Sequence, residues 1–92
     1  MGMCSPSGGI VNMRDARVGA GFRFFLPNTR LDLRNSSGFR IQQIWYGYDG
    51  IAVWSRDYRH GDRGGQHEFP HDHQWVGGRR VNQNLPMNTD YC

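Results

Sequence analysis

The chain has 92 residues, enough for one domain with a single hydrophobic core and too few for two. Apolar residues make up 37% of it, and no apolar run approaches the roughly 20 residues of a membrane-spanning helix, so we expect no transmembrane segment and no membrane partner. The formal net charge is +3, and all 11 basic residues are arginine.

The chain divides into three predicted parts. Residues 1–20 are rich in glycine and serine and lack the basic start and apolar stretch of a secretory signal peptide. We expect them to be flexible or partly helical, with one or two helical turns over 10–18. Residues 21–80 are expected to form a single β-rich domain, and residues 81–92 an extended or poorly ordered C-terminal tail.

The two cysteines lie near opposite ends of the chain, at Cys4 and Cys92. Termini of small domains often lie close together, so a bridge between them is compatible with the sequence. The sequence nevertheless favours two unpaired thiols on frayed ends.

Short aromatic and alternating runs predict the first strands. Residues 22–26 are aromatic and β-prone, and a Pro-Asn turn ends this strand at 27–28. In residues 30–34 two leucines alternate with charged residues, so we expect the leucines on a buried face and the charges on a solvated one.

The central hairpin carries the strongest structural signal. Residues 35–38 predict a hairpin loop, and residues 39–48 have apolar side chains on both faces, as in a central strand. An Asp-Gly turn at 49–50 returns the chain into a paired strand at 51–54. We therefore expect a mainly β fold, with α+β as the alternative: a small antiparallel sheet of three to four strands that ends near residues 56–58, with a long histidine-rich loop and at most one short helix.

All four histidines fall in the segment from residue 57 to residue 75, which glycines interrupt: His60, His67, His71 and His73. Three interpretations of this segment stay open. The first is acid–base cleavage of RNA, which needs a base, an acid and a cation for the phosphorane charge, and no cofactor. Histidine suits both proton roles because its pKa lies near neutrality, and the arginine fork matches phosphate oxygens. Nearby arginines could supply the cation: Arg56, Arg59, Arg63, Arg79 and Arg80.

The second interpretation is a site for a divalent metal ion such as zinc. His71 and His73 are two residues apart, so both side chains leave the same face of an extended chain, and His67 or Asp62 could complete the ligand set. A nuclease that uses the bound cation is compatible with this site. The third interpretation is a polar surface loop in which Pro70 fixes a turn.

The remaining arginines are scattered, and we expect them on solvated faces. An arginine and aromatic surface is also what single-stranded nucleic acid uses for stacking and phosphate contact. We expect most of the nearby aromatic residues to lie in the core instead: Trp45, Tyr46, Tyr48 and Trp54.

Two segments carry a resemblance to a known family, namely residues 42–61, which contain Asp-Tyr-Arg-His-Gly, and residues 67–75, which contain Phe-Pro-His-Asp-His-Gln-Trp. The stretch 39–80 resembles a small C-terminal domain of bacterial polymorphic-toxin and phage-associated proteins. The resemblance implies action in the cytoplasm or delivery to a target cell within a larger system, with a cognate immunity protein as a candidate partner. Trp75 matches a packing position. The matched positions that imply a site are Asp57, His60, His67, His71 and His73.

Together these observations predict a toxin-type, RNase-like domain with RNA or another nucleic acid as substrate. Catalysis is assigned to the five matched site residues, and phosphate binding to Arg59, Arg63, Arg79 and Arg80. The alternative is a non-catalytic binding module, which holds a metal through His67, His71 and His73 or a partner through the arginine and aromatic face.

Overall fold

The structure is a computed structural model, and it describes residues 4–12, 22–58 and 70–92. These residues form one six-stranded sheet in the spatial order of the sequence. The first strand pairs with the second in parallel, and every other pair is antiparallel. The strands are β1 (Ser7–Asn12), β2 (Arg30–Arg34), β3 (Arg40–Tyr46), β4 (Ala52–Asp57), β5 (His71–Val76) and β6 (Arg79–Arg80).

The mainly β class is confirmed, but the expected three to four strands are wrong. β1 lies in the segment predicted to be flexible or helical, and β5 lies in the segment predicted to be a loop. Neither has the apolar alternation that marks a half-buried strand, since β1 begins with small residues and β5 is mostly polar. Both are extended because their backbones pair with a neighbouring strand.

No helix occurs among the described residues. The helical turns predicted over 10–18 are wrong for residues 10–12, which belong to β1, and residues 13–18 lie outside the described part of the chain. No described helix is long and apolar enough to span a bilayer.

The central hairpins match their prediction. β3 pairs with β2 on one side and with β4 on the other, which makes it a central strand. Gly38 and Gly50 take positive φ values of 86° and 79° in the two turns. A Cβ on Gly50 would lie 2.6 Å from the carbonyl oxygen of Phe25, so this turn admits no larger residue without a shift of the backbone.

Residues 22–26 are not the predicted strand. They make one isolated bridge, between Phe24 and Ile51, and run along the end of the β3–β4 hairpin. Phe22 and Phe25 pack against the core from this position, while Phe24 is exposed. In residues 22–26 the aromatic side chains therefore indicate packing against the core and not strand pairing.

One face of the sheet carries the hydrophobic core, and we call it the core face. Its buried apolar residues are Leu31, Leu33, Ile44, Tyr46, Ala52 and Trp75. The leucines of β2 are buried as predicted, but Asp32 between them is not solvated as expected. It is buried on the opposite face, where it accepts a hydrogen bond from Gln43 and pairs with Arg30 at 3.1 Å.

The C-terminal residues, which are predicted to be extended or poorly ordered, pack against the face opposite the core. We call residues 85–92 the C-terminal strap. Leu85 forms a bridge with Asp72 of β5, and Tyr91 stacks on Trp54 with ring centroids 4.8 Å apart. The expectation of unpaired thiols is wrong, because a disulfide joins Cys92 to Cys4. The irregular composition of the two chain ends does not reveal these contacts.

Candidate metal centre

Three adjacent strands bring polar side chains into one row on the core face. Gln42 of β3 lies opposite Asp57 of β4, and Asp57 lies opposite His71 of β5. His73 follows two residues later on β5, so its side chain is on the same face. The histidines thus share one side of an extended strand, the arrangement that the His-x-His spacing favours.

The carboxylate of Asp57 is the meeting point of this row. Its Oδ2 lies 3.2 Å from Nε2 of His71 and 3.4 Å from Nε2 of His73. One ligand atom from each of the three residues lies within 4.8 Å of the other two, and all three residues are buried. The imidazole rings meet edge to face with centroids 5.1 Å apart. We call Asp57, His71 and His73 the Asp-His-His cluster.

Groups around the cluster fix the orientation of two of its members. Gln42 donates from Nε2 to Oδ1 of Asp57 at 2.9 Å, which leaves Oδ2 for the histidines. Nδ1 of His73 lies 2.9 Å from the carbonyl oxygen of Val81. A carbonyl oxygen only accepts, so Nδ1 carries a proton, and the lone pair of neutral His73 is on Nε2.

Burial and nearby charges shift the pKa of Asp57 in opposite directions. Burial raises the pKa of its carboxyl, whereas the hydrogen bond and charge of His73, followed by the charges of His71 and Arg80, lower it. The net result is a pKa below the usual range of an aspartate. Next to these charged groups Asp57 is therefore ionised at neutral pH.

Two of the three ligand-to-ligand distances in the cluster suit a small metal ion, and all three lie within 4.8 Å. Two ligands bound tetrahedrally to Zn²⁺ at about 2.0–2.1 Å lie about 3.3 Å from each other. The two distances from Asp57 to the histidines, 3.2 and 3.4 Å, match this value. Two imidazoles and a carboxylate also form a ligand set that zinc and several other divalent metals accept.

One of the two described arginines that were predicted to bind phosphate reaches the cluster. Arg80 lies opposite Trp75 on β6, and its Nη1 is 3.9 Å from Oδ2 of Asp57. Its side chain is 35% exposed, so the guanidinium connects the buried cluster with solvent. Arg79 is exposed, and alternation along β6 directs it to the opposite face, where no described contact joins it to the cluster.

Five further residues named in the sequence analysis lie outside the described part of the chain, and their roles stay predictions: Arg59, His60, Asp62, Arg63 and His67.

Arg56, named above as a candidate cation for the phosphorane charge, has a structural role instead. It is buried, and its Nε and Nη2 donate to the Asp72 carboxylate at 2.9 and 3.1 Å. It also donates to the backbone carbonyls of Asn88 and Tyr91 in the strap. Burial lowers the pKa of Arg56, but Asp72 raises it to a net value above its usual range. Because its N–H groups are already bonded to these acceptors, the Arg56 guanidinium has few donors left for a phosphate.

The aromatic residues near the arginines are mostly packed, as expected. Trp45 and Tyr46 are buried, and Trp54 is covered by Tyr91 of the strap. Only Tyr48 among the four stands in solvent, with 84% of its surface exposed. Trp75 is buried and donates to the hydroxyl of Ser55, which agrees with the packing role implied by the resemblance.

Sequence reasoning missed Gln42 and Asp72. Gln42 is fully buried and holds Asp57, and Asp72 is fully buried and binds Arg56. The signal for Gln42 is its position two residues before Ile44 in a central strand, which places both side chains on the same face. For Asp72 the signal is its place between His71 and His73, which puts it on the opposite face of an extended chain.

Comparisons of the chain with protein-family models, with curated proteins and with solved structures give no match. The resemblance to the toxin-associated domain therefore stays a prediction, and the geometry of the site carries the functional argument.

Proposed function

We propose that this chain is a divalent-metal-binding domain that holds a zinc-type ion with Asp57, His71 and His73. The observation that carries the proposal is the orientation of His73. Its Nδ1 donates to the Val81 carbonyl, so a neutral His73 has its lone pair on Nε2, the nitrogen that faces Oδ2 of Asp57. That lone pair and an ionised carboxylate repel each other unless a proton or a metal ion lies between them.

A hydrogen bond from protonated His73 would also fit the 3.4 Å distance, so two further features favour a metal. First, a ligating histidine typically donates its second N–H to a carbonyl or carboxylate, as His73 does to Val81. Second, Oε1 of Gln42 is buried beside the cluster and has no hydrogen-bond partner among the residues that the structure describes. A water bound to the metal would supply the missing donor. Three protein ligands plus water is the arrangement of catalytic zinc sites.

The test is a zinc titration of protein that was purified without a histidine tag. We expect one zinc per chain, and His71→Ala, His73→Ala and Asp57→Ala should each weaken binding by more than about 100-fold, beyond the usual cost of losing a supporting group. Gln74→Ala is the matched control, because Gln74 is exposed on the opposite face of β5. A variant at His67 tests whether that residue is a further ligand. Binding that survives all three cluster substitutions would disprove the site.

A second candidate function is cleavage of a phosphodiester, and the position of Arg80 favours it. The guanidinium is partly exposed beside the cluster, where it could neutralise a phosphate oxygen next to the proposed ion or next to the histidines. RNA is the substrate to test first, since histidine acid–base chemistry and metal-activated water both cleave it.

An RNA cleavage assay separates the two chemistries. Cleavage that stops in chelator and returns with zinc indicates metal catalysis, whereas cleavage that persists in chelator and is lost in His71→Ala or His60→Ala indicates acid–base catalysis. Arg80→Ala should slow either reaction, and Arg79→Ala should not. If the wild-type protein cleaves nothing, the nuclease function fails and the metal-binding function stands on the zinc titration.

A further inference from the structure

The C-terminal strap is anchored to β5 through Asp72. The backbone N–H groups of Asp72 and Leu85 each donate to the other residue's carbonyl, at 2.8 and 2.9 Å. The Asp72 carboxylate also accepts from the backbone N–H of Asn88 at 2.8 Å. Asp72 lies between His71 and His73, so one strand carries the strap on one face and the proposed metal ligands on the other.

Beyond Asn88 the strap lies on an aromatic and arginine surface. Tyr91 stacks on Trp54 and meets Trp45 at its edge, with centroids 5.7 Å apart in the second pair. Arg56 donates to the Tyr91 carbonyl at 3.2 Å. These contacts involve few residues. A segment this short buries little surface, so its contacts do little to offset the conformational entropy that is lost when the segment becomes ordered.

The disulfide supplies the remaining constraint. Cys92 is the last residue of the strap and is bonded to Cys4, which precedes the edge strand β1. The Cys92 carbonyl accepts from the Ser5 N–H at 3.0 Å and from Nε1 of Trp45 at 3.1 Å. Cys4 is exposed, so a reductant can reach the bond.

The strap is also connected to the cluster through the backbone. Val81, whose carbonyl orients His73, is held to β5 by its N–H bond to the Gln74 carbonyl at 2.8 Å. Only three residues separate Val81 from the bridge at Leu85. Release of the strap would free the residues directly after Val81, which supplies the carbonyl partner of a proposed ligand.

We propose that the Cys4–Cys92 disulfide is a redox lock, and that its reduction by a dithiol releases the C-terminal strap and weakens metal binding at the Asp-His-His cluster. The disulfide takes up two electrons and two protons to give two thiols, and the dithiol becomes a disulfide in exchange. Such bonds persist in oxidising compartments and are lost in reducing ones, so the lock distinguishes the two. The effect on metal binding rests on the proposed function, whereas strap release does not.

The experiment compares the oxidised wild-type protein with the Cys4→Ser/Cys92→Ser variant, which represents the open state and has no thiols to bind zinc. Hydrogen exchange at the amides of Leu85, Asn88 and Tyr91 reports the strap. Zinc affinity reports the cluster. We expect these amides to exchange at least about tenfold faster in the variant and zinc binding to weaken by about 10- to 100-fold, as for the loss of a group that orients a ligand.

Two controls keep the result specific. A phosphine reductant, chosen because dithiols chelate zinc, should produce the same changes in the wild-type protein and none in the double variant. If the double variant does not fold, Tyr91→Ala with the disulfide intact should change both readouts in the same direction, and Thr89→Ala, at an exposed strap position, should change neither.

The outcomes separate the two proposals. Unchanged amide exchange after reduction overturns the lock, and faster exchange with unchanged zinc affinity overturns its coupling to the cluster. If neither redox form binds zinc, the proposed function and the coupling both fail, and amide exchange alone decides whether the disulfide holds the strap.

Discussion

His73 uses its two ring nitrogens for different purposes. Nδ1 donates to the Val81 carbonyl, and Nε2 faces Asp57 and shares that carboxylate with His71. An imidazole with one nitrogen fixed by a carbonyl presents the other in a defined direction, which a metal ligand requires. The site is thus built from individually oriented atoms rather than from a general excess of histidine.

Gln42 holds the carboxylate of the site, and a matched pair of variants tests this role. Gln42→Leu removes the donor to Oδ1 of Asp57, so we expect zinc affinity to fall by about 10- to 100-fold. Gln43→Leu is the control, because the Gln43 side chain contacts Asp32 and Tyr58 on the opposite face. It should destabilise the fold but leave the zinc affinity unchanged. Equal zinc affinities for the two variants would contradict the role of Gln42.

Because of Tyr46, we expect the stability of the fold to decrease at alkaline pH. Its hydroxyl is buried and donates to the Phe22 carbonyl, and burial raises the pKa of Tyr46 above its usual value. The unfolded chain releases this proton near its ordinary pKa of about 10, and the folded chain releases it only at higher pH. The contribution of Tyr46 is therefore fully present below about pH 10 and is lost as the pH rises above it.

Urea unfolding of the wild-type protein and of Tyr46→Phe measures this effect. At pH 7 the phenylalanine variant should be less stable by about 1 kcal/mol, because the Phe22 carbonyl loses its donor. Above pH 10 the difference should shrink by up to about 1.4 kcal/mol per pH unit. A difference that is constant from pH 8 to 11 would show that Tyr46 does not titrate differently in the two states.

At the scale of elements, β5 has polar residues on both faces. Its His71 and His73 join the cluster on the core face, while Asp72 joins Arg56 and the strap on the other face. A strand with polar residues on both sides is stable in a buried position only when each polar group has partners, and here the neighbouring strands and the strap supply them.

Asp72→Ala tests how strongly this element depends on its buried ion pair. The substitution leaves Arg56 buried without its carboxylate and removes the acceptor for Nε1 of Trp54. We expect a loss of about 3–5 kcal/mol in the free energy of unfolding. Arg79→Ala, at an exposed position on β6, should stay within about 0.5 kcal/mol of the wild-type protein. Urea denaturation compares the two, and a small loss for Asp72→Ala would mean that the pair contributes little.

The elements that follow apolar alternation and turn chemistry could be predicted from the sequence. β2, β3 and the Asp-Gly hairpin into β4 have this pattern, and the structure contains all three. β1, β5 and the packed strap do not, because their positions depend on pairing and contacts with residues far away in the chain. The run at 22–26 shows the opposite failure, since its β-prone aromatic residues pack against the end of a hairpin instead of pairing.

The candidate site shows the same division. The His-x-His spacing predicts two ligands on one face, and the resemblance added Asp57. Register alone brings Asp57 opposite His71 and places Gln42 beside it, and register between distant strands is not visible in one sequence. Register also explains why Arg56 and Arg80 have different roles. The Arg56 side chain contacts Asp72, and the Arg80 side chain contacts the cluster.

In the whole molecule, the two faces of the sheet hold different structural features. The core face holds the apolar cluster and the Asp-His-His cluster, and the other face holds the strap. A small domain has little core to stabilise it, and removal of a native disulfide from such a domain costs about 2–5 kcal/mol. The Cys4–Cys92 bond therefore supports a fold whose central strands carry buried polar groups.

X-ray absorption at the zinc edge tests whether Asp57, His71 and His73 bind the metal. For wild-type protein loaded with one equivalent of zinc, we expect a first coordination shell with two imidazole nitrogens and a carboxylate oxygen, and one imidazole fewer in His73→Ala. Protein that takes up no zinc, or an imidazole count that His73→Ala leaves unchanged, would contradict this expectation.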